Sequence, residues 1–156
     1  MNIQIFFRSF VFCILLSLLF SCSRNLQPTA GVNYISSNDG TVTVRAVGIG
    51  LTTESAIENA EVNVFNVLFF RGLPESAQKT ALIGTNEAEE MASHKEYFNS
   101  FYKEKRYKTF IMSSIPTTNL VRHKGGEKSI SVDVKINLVA LRNDLEQNNI
   151  IRKFGF

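Results

Sequence analysis

Apolar and polar residues alternate along two segments of the chain, 41–49 and 128–139, and this alternation predicts two half-buried β-strands. Residues 107–115 predict a third strand, which 117–122 continue beyond an interrupting proline. A Gly-Gly pair at 125–126 precedes the last strand and is typical of a hairpin turn.

Between the first two predicted strands, apolar residues recur every three or four positions. This period predicts a helix over 54–71 that ends at Gly72, with Thr52 or Thr53 as the residue that caps its first turn. One apolar stripe of this helix would face a sheet; it consists of Ala56, Ile57, Ala60, Val64, Val67 and Leu68. A second stripe on the far side consists of Val62, Phe65 and Phe69, and another part of the chain or a partner must cover it.

The remaining segments complete a mixed fold. Residues 73–86 predict a long loop, and residues 140–148 predict a short final helix. Between them, residues 87–106 predict a second helix, which could cover the second stripe of the first helix. The predicted fold class is α+β, in the order β-α-α-β-β-α. An antiparallel sheet of three to four strands would pack one face on the helices and leave a polar face for solvent or binding.

The N-terminal segment predicts export rather than folding. Residues 9–20 contain no charged side chain and are mostly apolar. The length of this segment is typical of the apolar core of a signal peptide, and it is shorter than the about 20 residues that a membrane-spanning helix requires. Leu19-Phe20-Ser21-Cys22 follows and resembles the lipobox of bacterial lipoproteins. The resemblance implies cleavage before Cys22, a diacylglyceryl group on its sulfur and acylation of the new N-terminus. A plain secretory signal with an unmodified Cys22 is the alternative.

These patterns predict four regions. A lipoprotein signal peptide occupies 1–21, a lipidated flexible tether 22–40, a single α+β domain 41–149 and a C-terminal tail 150–156. By analogy with enteric lipoproteins, Ser23 in place of an aspartate favours the outer membrane. The absence of acidic residues from 23–28 favours its periplasmic face.

Composition excludes several classes of protein. The chain has 156 residues, of which 44% are hydrophobic and 20% charged, as in an ordinary globular protein. The net charge is +3 for the whole chain and +2 for residues 22–156, because the leader contains only Arg8, and this charge is too small to predict nucleic-acid binding. Cys13 lies in the leader and Cys22 is the lipidation site, so no disulfide is expected. A four-ligand zinc site would need every cysteine and histidine of the chain.

A second resemblance concerns the domain itself. The residues that carry it are 47–50 (Val-Gly-Ile-Gly), 55–60 (Ser-Ala-Ile-Glu-Asn-Ala) and the strand 129–137. In this order they resemble the N-terminal domain of the flagellar assembly protein T and the small lipoproteins related to it. The resemblance implies an envelope-associated accessory module, often part of a larger assembly, and it transfers no catalytic residues.

Catalytic and cofactor motifs are weak. Gly48 and Gly50 could begin a dinucleotide fingerprint, but Thr53 stands where the third glycine belongs. Glu90 and His94 are spaced to share one helix face, yet no second histidine or cysteine ligand has a matching spacing. No Gly-x-Ser-x-Gly or Ser-x-x-Lys motif is present. We therefore expect no enzyme activity, no metal and no cofactor.

Two sets of residues are candidates for binding. Phe65 and Phe69 would form a partner surface if they were exposed. Lys103, Lys105 and Arg106 form a basic cluster beside tyrosines that could contact lipid headgroups, or simply a solvated helix end.

The predicted function is a non-enzymatic, outer-membrane-anchored binding or assembly module of the periplasm. It would be attached to the membrane through Cys22 and would act on an envelope protein partner, with no role for nucleic acid. The alternative is a lipoprotein that binds an envelope glycan or lipid in a groove beside Phe69, Phe70 and the 73–86 loop. An envelope hydrolase is the weakest alternative.

Overall fold

The computed structural model describes residues 31–123 and 125–152. The signal peptide, the lipobox with Cys22 and the last four residues of the tail lie outside the described residues. The strands are β1 (Val32–Asn38), β2 (Thr41–Gly50), β3 (Ile111–Pro116), β4 (Val121–Arg122) and β5 (Lys128–Asn137). The α-helices are α1 (Thr53–Phe70), α2 (Glu87–Ser93), α3 (Lys95–Phe98) and α4 (Leu138–Gln147). A π-helical turn (Asn99–Lys103) and a 3₁₀-helix (Arg106–Phe110) lie between α3 and β3.

The five strands form one antiparallel sheet. Four of them lie in the order β1-β2-β5-β3, and the short β4 pairs with β5 beyond the end of β3. The long central pair runs from Thr41 opposite Asn137 to Gly50 opposite Lys128. The predicted α+β class and the antiparallel sheet are confirmed.

The alternation of β2 and β5 sorts their side chains between the two faces of the sheet. The buried face packs on the helices and contains Val42, Val44, Ala46, Ile130, Val132, Val134 and Ile136. The opposite face is polar, and Arg45 donates two hydrogen bonds across the strands to Asp133, at 2.7 and 2.8 Å.

Strand β1 corrects the predicted tether. The prediction of a tether over 22–40 is wrong for Val32–Asn38, which pair antiparallel with β2 from Val32 opposite Ala46 to Asn38 opposite Thr41. The hairpin turns at Asp39 (φ 45°) and Gly40 (φ 75°), and Asp-Gly is the dipeptide that such turns prefer. A bulge between Tyr34 and Ser36 interrupts the alternation of the two faces, so only a few consecutive residues of β1 show the period of a strand in the sequence.

Helix α1 begins and ends close to its predicted limits. Thr52 is its N-cap: the Thr52 hydroxyl accepts from the Ser55 backbone N–H at 3.1 Å, and the Ser55 hydroxyl accepts from the Thr52 N–H at 3.0 Å. The helix crosses β2 at Gly48, where a Cβ atom would lie only 1.8 Å from the carbonyl oxygen of Ala56. Glycine and alanine at this crossing let the helix and the sheet approach closely.

The chain itself covers the second stripe of α1. Phe65 and Phe69 are completely buried, and the ring of Phe101 lies 5.2 Å from Phe65 and 5.1 Å from Phe69 between centroids. Tyr107 packs on Phe65 at 5.7 Å. The prediction of Phe65 and Phe69 as partner-binding residues is therefore wrong, because segment 97–107 occupies that surface.

The segment that forms this cover is more irregular than predicted. In place of one helix over 87–106, α2 ends at Ser93, and α3 and the π-helical turn follow. Lys105 adopts a left-handed conformation (φ 57°), and the predicted strand over 107–115 begins only at Ile111. The breaks allow Phe98, Phe101 and Tyr107, at uneven spacing, all to reach the same helix.

The last elements differ from the predictions by a few residues. Strand β5 ends at Asn137, whose side chain caps α4 by accepting from the Ala140 N–H at 2.9 Å. Ile150 and Ile151, the first described residues of the predicted tail, pack against the core. None of the described helices combines the length and the apolar character that crossing a membrane requires.

Candidate functional site

A polar cleft of about 680 Å³ lies between the α3 region and the C-terminal end of α4. The wall from the start of α3 consists of His94, Lys95, Glu96 and Tyr97; Ser100 adds to it from the π-helical turn and Ile150 from beyond α4. Arg106 contributes from the 3₁₀-helix, and Asn148 from the cap of α4. Segments that are distant in the sequence therefore supply its wall.

A hydrogen-bonded network fixes the base of the cleft. Arg106 Nη1 donates to Asp144 Oδ1 at 2.7 Å, and the Tyr97 hydroxyl donates to Asp144 Oδ2 at 2.8 Å. Asn148 Nδ2 donates to the backbone carbonyl of Asp144 at 2.8 Å. Both carboxylate oxygens of Asp144 are thus occupied, and the carboxylate holds the guanidinium in one position.

Two aromatic rings pack against the guanidinium of Arg106. Its guanidinium carbon lies 4.9 Å from the centroid of the Tyr97 ring and 5.8 Å from that of Phe101. The Arg106 side chain is 30% exposed, against 18% for Asp144. Arg106 is therefore partly desolvated and still accessible from the cleft.

The protonation of the network follows from its surroundings. Burial, together with the hydrogen bond to Asp144, raises the pKa of Tyr97 above its usual value. Burial lowers the pKa of Arg106, but the hydrogen bond and charge of Asp144 raise it by more, so the net change is upward. Near neutral pH the cleft therefore presents a permanent cation and a protonated phenol.

This arrangement suits a polar ligand that carries negative charge. A guanidinium has five N–H donors, of which the Asp144 ion pair uses one. Lys95 adds a second cation and Ser100 a hydroxyl along the wall, where the Glu96 carboxylate offsets one positive charge. A carboxylate, a phosphate or a hydroxylated ring would find donors at Arg106, Lys95 and Ser100, and Tyr97 and Ile150 add apolar surface on which a sugar ring could pack.

The structure separates the three residues of the predicted basic cluster. Lys105 pairs with Glu58 at 2.7 Å, on the side of the domain where Lys108 also reaches Glu58 at 3.2 Å. Arg106 pairs instead with Asp144 on α4, and Lys103 lies exposed on the π-helical turn. The three residues therefore do not form one surface for lipid headgroups.

The predicted groove beside Phe69 and Phe70 is closed. Both rings are buried, and the 73–86 loop folds back over the end of α1. Leu82 N–H donates to the Leu68 carbonyl at 2.9 Å, and Ile83 N–H donates to the Phe69 carbonyl at 3.0 Å. A smaller hollow of about 210 Å³ lies between the beginning of this loop and β1.

The two histidines lie outside any cluster of metal ligands or catalytic side chains among the described residues. His94 Nε2 lies 3.9 Å from Glu90 Oε2, and across the described residues no group of three or more His, Cys, Asp or Glu side chains is placed to hold a metal ion. His123 Nε2 lies 2.8 Å from the Ser129 hydroxyl in the β4–β5 hairpin. This exposed pair has no carboxylate hydrogen-bonded to the histidine within 31–123 and 125–152.

Most of the cleft was not found from the sequence. Arg106 was identified, but Tyr97, Ser100, Asp144 and Asn148 were not, and the only local signal is the spacing of Asp144 and Asn148 on one helix face. No protein-family model, curated protein or solved structure matches the chain. The resemblance to the flagellar assembly protein T stays a prediction.

Proposed function

We propose that the protein is a non-enzymatic, lipid-anchored binding module on the periplasmic face of the outer membrane, with the polar cleft as its ligand site. The observation that supports a ligand site is Arg106, a partly buried guanidinium that Asp144 and Tyr97 hold at the base of an open cleft. The observation that supports the anchor is Leu19-Phe20-Ser21-Cys22 after an apolar leader.

The chemistry of the cleft favours one of the two ligand classes expected from the sequence. Its wall combines the cations Lys95 and Arg106 with the apolar surface of Tyr97 and Ile150, a mixture that fits an acidic envelope glycan, such as one with uronic acid or phosphate groups, better than an acyl chain. An assembly module for a protein partner is less well supported, because the Phe65 and Phe69 surface on which it depended is buried.

The ligand site is tested by a solution NMR titration of the chain from residue 22 with glucuronic acid and, separately, with inorganic phosphate. We expect the amide shifts to concentrate around Lys95, Ser100, Arg106 and Asn148. Lys95→Gln and Ser100→Ala should weaken the response, and neither side chain takes part in the hydrogen bonds of Arg106 and Asp144.

Lys103→Gln is the matched control, because Lys103 belongs to the same basic run and lies outside the cleft wall. The proposed site is rejected if neither probe perturbs the cleft amides, or if Lys103→Gln weakens binding as much as Lys95→Gln.

The anchor is tested separately in cells. Mass spectrometry of the N-terminal peptide should find acyl groups on Cys22, and Cys22→Ala should release the protein from the membrane fraction. An unmodified Cys22 in a membrane-free protein would refute the anchor and leave the ligand site untouched.

A further inference from the structure

The register of β1 shows from which end the chain enters the domain. Val32 lies opposite Ala46, and β1 runs antiparallel to β2, so the N-terminal end of β1 points toward the Gly50 end of β2. Gly50 lies opposite Lys128, which lies opposite Arg122. The β2–α1 connection and the β4–β5 hairpin therefore lie at this same end, which we call the proximal end (residues 50–54, 121–123 and 125–128).

The length of chain before β1 limits how far the proximal end can stand from Cys22. Nine residues lie between Cys22 and Val32, and the ten residue-to-residue steps of a fully extended chain, at about 3.3–3.6 Å each, span at most about 35 Å. Gly50 lies four residues beyond Ala46 along β2, about 13 Å further in the direction in which the N-terminal end of β1 points. Only about 20 Å then remains between the proximal end and an anchored Cys22, whereas a tether to residue 40 would have reached about 60 Å.

The surface of the proximal end is partly aliphatic. Leu51 is 69% exposed at the bend between β2 and α1, and Val121 is 53% exposed at the start of β4. The sequence of segments 50–54 and 121–128 has a net charge of only +1, with Arg122, Lys124 and Lys128 against Glu54 and Glu127. An aliphatic contact with the bilayer interface is therefore expected, with little dependence on the charge of the lipids.

We infer that the proximal end lies against the bilayer that holds the anchor, with Leu51 and Val121 at the lipid interface. The cleft, at the junction of α3 and α4, is then presented by a domain of fixed orientation rather than one that tumbles at the end of a long tether. This inference rests on the proposed anchoring through Cys22.

The test attaches the chain from residue 22 to a lipid through the Cys22 thiol, which is the only cysteine after the leader. Because this coupling supplies the anchor chemically, the quenching result does not depend on whether cells lipidate Cys22. The bilayer contact and the lipid anchor can therefore be refuted independently of each other. The chain contains no tryptophan, and each variant can carry a single tryptophan reporter. The vesicles contain phosphatidylcholine with brominated acyl chains, which quench a tryptophan at the interface.

Leu51→Trp and Val121→Trp report on the proximal end, and Met112→Trp is the matched control. Met112 is 55% exposed and follows Ile111, which lies opposite Ile136 at the other end of the sheet. We expect brominated lipid to quench Leu51→Trp and Val121→Trp at least twofold and to leave Met112→Trp unchanged, with or without added anionic lipid. Circular dichroism identifies any variant that fails to fold, and the two proximal reporters are independent of each other.

The inference is overturned if folded Leu51→Trp and Val121→Trp are quenched no more than Met112→Trp. It is also overturned if quenching appears only with anionic lipid, since the contact would then be electrostatic.

Discussion

Arg106 and Asp144 are 38 residues apart in the chain and meet at 2.7 Å at the base of the cleft. The pair connects the 3₁₀-helix before β3 to the last helix, and the Tyr97 hydroxyl donates to the same carboxylate. One ion pair therefore both shapes the candidate site and ties the irregular cover segment to the end of the fold.

Asp144→Asn should destabilise the fold and loosen the cleft. The substitution removes the charge that holds Arg106, and a hydrogen bond to a charged group contributes about 1.5–3 kcal/mol. Because Arg106 is partly exposed, we expect a loss of about 1–2 kcal/mol in urea denaturation. Asp133→Asn is the control, since its partner Arg45 is half exposed, and it should cost less. Equal losses would show that the Arg106–Asp144 pair has no special structural role.

Gly48→Ala should be among the most destabilising single-methyl changes. The added Cβ atom would lie 1.8 Å from the Ala56 carbonyl oxygen, so α1 must move away from β2. Such overpacking costs about 1–3 kcal/mol and more where backbone must shift. Gly125→Ala is the comparison, because a Cβ atom at this position would have no neighbour within 4 Å. Its only cost is the positive φ, about 1–2 kcal/mol. Denaturation midpoints of the two variants in either urea or heat measure the difference, and a smaller loss for Gly48→Ala would contradict the close crossing.

Phe101→Ala should expose the second stripe of α1. Phe101 contacts Phe65 and Phe69 and is fully buried, and truncation of a buried phenylalanine costs about 3–5 kcal/mol. We also expect increased binding of a hydrophobic dye, because the two rings beneath would become accessible. Met112→Ala, at an exposed position, should change neither measurement. A Phe101→Ala protein with unchanged stability would mean that another segment covers these rings.

Alkaline pH should destabilise the fold through its buried phenols. Burial, with the charges of Glu61 and Glu58, raises the pKa of Tyr107 from 10 to about 12. Below pH 10 both states keep the proton. Between about pH 10 and 12 the unfolded state loses it first, so the free energy of unfolding falls by up to about 1.4 kcal/mol per pH unit.

Denaturation midpoints measured between pH 8 and 12 give this slope, and absorbance titration of the tyrosinate form gives the ionisation directly. Tyr107→Phe is the comparison, and it should show a smaller decline than the wild-type chain. The assignment to Tyr107 fails if the two slopes are the same.

Sequence patterns alone were sufficient for the central parts of the fold. The alternation in β2 and β5 and the helical period and cap of α1 depend on contiguous residues, so they can be recognised without knowing what each element contacts. The Asp39-Gly40 turn was an equally local signal for β1, but the bulge after Tyr34 obscured the strand before it.

The tertiary structure decided the rest. Only the packed fold shows that Phe65 and Phe69 are covered from within, because the cover comes from Phe98, Phe101 and Tyr107, whose uneven spacing requires breaks in the helix. Likewise, Lys105 and Arg106 are neighbours in the sequence but pair with carboxylates on different elements, Glu58 on α1 and Asp144 on α4. Local periods report which face of an element is apolar, whereas the partner of that face, or of a charge, depends on contacts between residues far apart in the chain.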